Sequence, residues 1–178
     1  MTQKKSVFVI VGSAIANSSN HQLVKYLQEI SKDAFHFLPL IDLKTLPHFD
    51  PILSSAENPP IEIQNFRQYI QQADAVIICT PEYIFSIPSG LKNALEWSVS
   101  TTIFSEKPTV LMTASADGQK GHAELILIMQ TLSAKFDLST TLLISGIKGK
   151  FNNEGEIIDS TLKQNLAELM NNLAEIVA

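Results

Sequence analysis

The stretch ADAVIICTPEYIFSIPSGLKNALEW, residues 73–97, constrains the chain more than any other, because it passes from a buried strand through a sharp loop into an amphipathic helix. Ala75-Val76-Ile77-Ile78-Cys79 is an apolar run without polar alternation, as a central parallel strand covered on both faces requires. Pro81 and Pro88 lack backbone donors and fix φ, so the chain between Thr80 and Ser89 continues neither a ladder nor a helix. It must form a shaped loop at the strand's carboxyl end. In open α/β sheets ligands bind outside those ends, and Glu82, Tyr83, Phe85 and Ser86 stand there.

The rest of the chain supplies matching units. Strands are expected at Ser6–Val11, Ala34–Leu40, Lys107–Ala114 and Thr140–Ser145, and helices at His21–Ser31, Ile61–Gln72, Gly90–Ser98, Ala123–Phe136 and Ser160–Val177. The segment 41–60 holds four prolines among scattered apolar residues, which predicts a docked irregular crossing. Five strands, each followed by helix, predict a doubly wound parallel sheet with helices on both faces. With 178 residues, one domain around one core is expected.

Composition narrows the function. A net charge of −5 and the lack of a basic run argue against nucleic acid or an anionic membrane as partner. The apolar run after Lys4-Lys5 is too short for a signal or a span, so a soluble cytoplasmic protein is expected. One cysteine excludes an intramolecular disulfide; in a buried strand, Cys79 reads as packing. The four histidines show no metal-ligand spacing, and no G-x-S-x-G elbow is present.

Two further loops sit where the sheet ends. After the first strand, Gly12-Ser13-Ala14-Ile15-Ala16-Asn17-Ser18-Ser19-Asn20 feeds a helix. Such a Ser/Asn-rich turn can hold an anion on helix N–H groups, or merely cap the helix; neither the dinucleotide fingerprint nor the P-loop pattern is present. After the fourth strand, Ser115-Ala116-Asp117-Gly118-Gln119-Lys120-Gly121-His122 has two glycines three apart, which lets backbone approach a flat ligand or simply makes a turn.

TPEYIFSIPSGLKNALEW resembles the loop and helix of the NADPH-dependent FMN reductases, a flavodoxin-like family that includes quinone, chromate and azo-dye reductases. The match covers Thr80, Pro81, Glu82, Tyr83, Ser86, Pro88, Leu91, Lys92, Asn93, Ala94, Glu96 and Trp97; Ile84 stands where the family usually has Asn, and Ser89 where Gly is common. Gly12, Ser13, Ser18 and Asn20 match the first motif, in which Ile15 replaces an Arg. Ser115, Gly118 and Gly121 match the third, in which His122 replaces a glycine. The resemblance implies sheet order 2-1-3-4-5, with the three loops meeting at one edge. It implies that Ser13, Ser18 and Asn20 hold the FMN phosphate, that Tyr83 and Phe85 wall the ring, and that Ser19, Pro81, Glu82, Ile84, Ser86, Ser115, Asp117 and Gly118 also belong to the cofactor site. Loss of the planar guanidinium at position 15 implies weaker FMN binding.

The function this implies is an FMN-dependent NAD(P)H oxidoreductase passing hydride from NADPH or NADH to flavin, and on to a quinone-like, azo, metal-oxyanion or flavin acceptor in a ping-pong cycle. Backbone donors at Pro81–Tyr83 and Ser115–Gly118 would favour the reduced ring. Glu82 reads as a residue that fixes its loop. A homodimer or homotetramer is implied by analogy, with Leu91, Leu95 and Trp97 open between core and interface. The alternative is a flavodoxin-like electron carrier or redox sensor without nicotinamide turnover.

Overall fold

The computed structural model describes residues 4–177. Five parallel strands, β1 (Lys5–Val11), β2 (Phe35–Phe37), β3 (Ala75–Thr80), β4 (Thr109–Ala114) and β5 (Thr141–Ile144), form one sheet of order β2-β1-β3-β4-β5. The expected order and parallel sense are therefore those observed. The helices are α1 (Ser19–Ile30), the short α2 (Pro51–Ser54), α3 (Ile61–Gln72), α4 (Ser89–Glu96), α5 (Gln119–Thr131) and α6 (Ser160–Ile176).

Strand alternation assigns the layers. Val7, Val9 and Val11 of β1 face one side with Ala75, Ile77 and Cys79 of β3, and pack on Leu23 and Leu27 of α1 and Leu166 and Leu173 of α6. Phe8, Ile10, Val76, Ile78 and Leu111 face the other, against α3, α4 and α5 through Ile63, Phe66, Leu91, Leu125 and Met129. Every residue of β3 and β4 is buried, as near-continuous apolar strands in a two-sided sheet demand.

Several boundaries differ from expectation by a few residues at an end, among them those of β2, α5 and α4. The second strand keeps only Phe35–Phe37 of the span Ala34–Leu40; its ladder to β1 ends at Val7↔Phe37, and Pro39 cannot donate to a ladder. The fifth helix spans Gln119–Thr131 rather than Ala123–Phe136. It opens directly after Gly118 (φ 90°), and it ends where Ser133 turns left-handed (φ 58°). The fourth helix begins at Ser89, after Pro88, and ends at Glu96.

The crossing 41–60 is docked by residues of the LKNALEW segment. Asn93 donates from Nδ2 to the Pro47 carbonyl at 2.9 Å and accepts from the Phe49 N–H at 2.8 Å. Trp97 Nε1 donates to the same Pro47 oxygen at 2.9 Å, and its ring meets Phe49 edge-on at 5.5 Å. Arg67 on α3 donates Nε to the Trp97 carbonyl at 3.1 Å and Nη2 to the Ser54 carbonyl at 3.0 Å, closing the ends of α4 and α2 together. Burial pushes the Arg67 pKa down from its ordinary value, but a guanidinium stays charged at any physiological pH. Leu91, Leu95 and Trp97, open between core and interface in the sequence, are all core.

Candidate active site

The loops after β1, β3 and β4 converge at the carboxyl edge of the sheet. The first two are joined by backbone: Gly12 N–H donates to the Cys79 carbonyl at 2.8 Å, and Gly12 lies against Thr80 so closely that a Cβ there would collide with its Oγ1. From that point Ser13 to Ser18 loops outward. Asn17 takes a left-handed φ of 58°, which a short amide side chain tolerates. Ser18 caps α1, its Oγ accepting from the His21 N–H at 3.4 Å and lying 2.9 Å from His21 Nδ1.

The backbone N–H groups of Ala14, Ala16, Asn17 and Ser19 have no protein partner among the described residues. No carboxylate stands between positions 12 and 20, and the side chains at 13, 14, 16, 18 and 19 are small. Free donors beside the start of a twelve-residue helix fit a phosphate group. Asn20 differs from its expected place. It is buried, its Nδ2 donating to the Ala114 carbonyl at 3.3 Å and its Oδ1 accepting from Cys79 Sγ at 3.3 Å. Its amide ties the loop's end to β3 and β4 instead of facing an anion. Burial pushes the Cys79 thiol pKa up, which keeps the sulfur protonated and a donor.

The second loop is a two-residue hairpin. Tyr83 N–H donates to the Ser86 carbonyl at 2.9 Å and Ser86 N–H returns to Tyr83 at 3.1 Å, with Ile84 (φ 52°) and Phe85 (φ 56°) both left-handed between them. Such primed turns prefer Asn and Gly, because Cβ crowds the following carbonyl at positive φ. A β-branched residue is a poor choice there, and Ile84 is 96% exposed, so no packing offsets it. Replacing Ile84 with Asn is expected to stabilise the protein by about 1 kcal/mol, raising Tm by roughly 2–4 °C. An unchanged or lower Tm in thermal melts would show that the turn carries no such strain.

Two carboxylates clamp this hairpin to α5. Glu82 accepts from the Gly121 N–H at 2.7 Å and the Gly118 N–H at 3.3 Å, so a side chain of the loop satisfies donors at the helix start. In return Glu124 of α5 accepts from Ser86 Oγ at 2.6 Å and the Ile87 N–H at 3.1 Å. Glu82 thus has the fixing role expected of it. Gly121 leaves room for this exchange, since a Cβ there would come within 3.2 Å of the Glu82 side chain. Glu124 was not singled out from the sequence; the available signal was one carboxylate in the apolar run Ala123–Met129.

In the third loop the carbonyls turn toward β5. Gly146 and Ile147 N–H donate to Ala116 and Ser115 at 3.0 and 3.2 Å, and Ser145 Oγ donates to Asp117 at 2.7 Å. The N–H groups of Ala116 and Asp117 are left without a protein partner among the described residues, and both residues are exposed. The donors expected at Tyr83, Ser115 and Gly118 are already spent on Ser86, Ile144 and Glu82; those free are at Glu82, Ala116 and Asp117. His122 belongs to the first turn of α5, half-buried, with Nδ1 3.0 Å from Thr113 Oγ1. Burial pushes its pKa down, and it is not a solvated loop residue.

The result is an open shelf: small side chains and free N–H groups at 14–19, exposed Tyr83, Ile84 and Phe85 along one rim, and the 115–118 backbone along another. Such a shelf suits a flat, anionic ligand with a phosphate tail. Among the described residues, no group of three or more His, Cys, Asp or Glu side chains could hold a metal ion, and no helix is long and apolar enough to cross a membrane.

The chain is similar to known proteins. The model of the NADPH-dependent FMN reductase family matches residues 6–145. The chain is 33% identical over 171 residues to the NADH:(hydroxy)cinnamate reductase subunit CrdA of Vibrio ruber, covering 90% of this chain and 79% of the relative. It is 27% identical to the quinone reductase of Escherichia coli, covering 99% and 97%. Among solved structures, the flavoenzyme NAD(P)H:(acceptor) oxidoreductase FerB of Paracoccus denitrificans superposes with a TM-score of 0.75 at 23% identity, covering 97% of both chains, and so shares the fold.

Proposed function

The chain belongs to the NADPH-dependent FMN reductase family, and on that footing we propose that this enzyme uses FMN and a reduced nicotinamide to reduce quinone-like small molecules in the cytoplasm. FMN supplies the chemistry when bound, taking hydride from the nicotinamide and returning electrons to the acceptor. The observation that carries the reading is the pair of free-donor loops, 14–19 and 116–117, on one open shelf. Ser13, Ser18, Ser19 and the N–H groups of Ala14, Ala16 and Asn17 would bind the phosphate. The N–H groups of Glu82, Ala116 and Asp117, not those of Tyr83, Ser115 and Gly118, would stabilise negative charge on a reduced ring. Tyr83 and Phe85 would wall the ring, and Glu82 with Glu124 would hold that wall in place.

With Tyr83, Ile84 and Phe85 exposed on an open rim, one face of such a ligand would be left to solvent, and nicotinamide and acceptor would occupy the same place in turn. Initial rates with NADPH and a benzoquinone are therefore expected to give parallel double-reciprocal lines. Intersecting lines would reject the shared site. A homodimer or homotetramer remains part of the proposal, built on surfaces other than Leu91, Leu95 and Trp97. Other acceptors, among them azo dyes, metal oxyanions and free flavin, suit the same open shelf.

A further inference from the structure

We propose that Lys44, carried on the crossing after β2, supplies the positive charge for the phosphate of FMN that the 12–20 loop itself lacks. The inference rests on reading that loop as the phosphate cradle. The sequence GSAIANSSN contains no charged side chain. A phosphate held only by backbone dipoles and hydroxyls forgoes the stronger charge-assisted bonds. A cavity of about 280 Å³ opens beside the loop, lined by Ser13, Ala14 and Ala16 and, from the crossing, by Asp42 and Lys44, with His21 also contributing.

Lys44 is the one lysine or arginine lining this space, and its Nζ forms no ion pair among the described residues. Its backbone is held in place. Asp42 Oδ1 accepts from the Lys44 N–H at 3.0 Å, Thr45 Oγ1 donates to the Asp42 carbonyl at 2.8 Å, and two residues on Leu46 is buried. The Pro47 carbonyl that follows receives both Asn93 and Trp97. The LKNALEW segment thereby anchors the crossing that carries Lys44. His21 is the weaker candidate, since burial pushes its pKa down although Asp42 opposes this. The Asp42 carboxylate shares the cavity and would repel an anion, so Lys44 must outweigh it.

The test compares FMN with riboflavin, which lacks the phosphate, by flavin fluorescence quenching on the full chain stripped of flavin. Lys44→Gln is expected to weaken FMN about tenfold, near the lower bound for losing a hydrogen bond to a charged group, and to leave riboflavin unchanged. Lys44→Arg keeps FMN affinity, Asp42→Asn raises it, and Ile15→Arg restores it in the Lys44→Gln background. FMN affinity unchanged by Lys44→Gln, or equal weakening of both flavins, overturns the assignment of Lys44 while leaving the cradle standing, provided the parent prefers FMN to riboflavin. A parent chain that binds no FMN overturns both.

Discussion

Replacing Gly12 with alanine is expected to destabilise the protein by about 3 kcal/mol, the upper end for forcing one methyl into a packed site, and to abolish detectable FMN binding. The added carbon would land on Thr80 Oγ1, 2.8 Å from Thr80 Cβ and 3.0 Å from Leu91 Cδ2. Neither neighbour yields easily. Thr80 is a fully buried β-branched residue at the end of β3, and Leu91 is fully buried in α4. Relief would have to come from the β1 end, breaking the Gly12 N–H bond to Cys79 and displacing Ser13 and Ala14, the first residues of the cradle. A control is available in Gly90, where an added Cβ meets nothing within 4 Å. Gly90→Ala lies in a helix and is expected to stabilise by up to about 1 kcal/mol. Denaturant unfolding of both variants checks the pair; Gly12→Ala behaving like Gly90→Ala would refute the close approach of the two strand ends.

Trp97→Ala is expected to cost about 3–5 kcal/mol, the range for truncating a large buried aromatic. Trp97 is fully buried, stacks edge-on with Phe49 and bonds Pro47 through Nε1. Its carbonyl also receives Arg67. The loss would therefore spread beyond the cavity, releasing the crossing that carries Lys44. Trp97→Phe keeps most of the buried ring, while Asn93 still satisfies Pro47, so about 1–2 kcal/mol is expected there, one net hydrogen bond plus a little packing. Because Asn93 and Trp97 share one acceptor, their effects should not add. The double variant measures that coupling. A loss below about 1.5 kcal/mol for Trp97→Ala would contradict a core role, since that is far short of the aromatic-truncation range.

The fold was largely legible because its signals were local and strong. Ala75–Cys79, Val110–Met112 and Ser6–Val11 are apolar runs in which nearly every residue is buried, and Pro60 before Ile61 marked the start of α3 to the residue. Ala34–Leu40 reads as strand by composition, whereas register with β1 stops at Phe37. Apolarity says nothing about where a partner strand ends. The start of α5 lies outside the expected helix for a related reason: its first turn, Gln119-Lys120-Gly121, contains a glycine, a poor helix former, and its N–H groups are held by a carboxylate 36 to 39 residues away.

At the site, position was legible and partnership was not. The motifs lie on three loops expected at one edge, where the structure brings them together. A motif does not separate a side chain facing a ligand from one facing the core, and Asn20, whose amide bridges Cys79 and Ala114, stands in the same motif as Ser18. Nor does a motif show which backbone donors are already spent. That depends on contacts such as Ser115 N–H to Ile144 and Gly118 N–H to Glu82, which join residues far apart in the chain. Glu124 and Lys44 escaped for the same reason. Each acts on a loop it does not belong to.

The most direct measurement is the visible spectrum of the purified protein during an FMN titration, followed by one anaerobic addition of NADPH. Flavin is expected to bind in a saturable manner, and its absorbance to bleach at once on addition of the nicotinamide. Flavin that binds and stays oxidised with both NADPH and NADH would contradict the reductase reading and favour an electron carrier. Absence of any FMN binding would contradict the site itself.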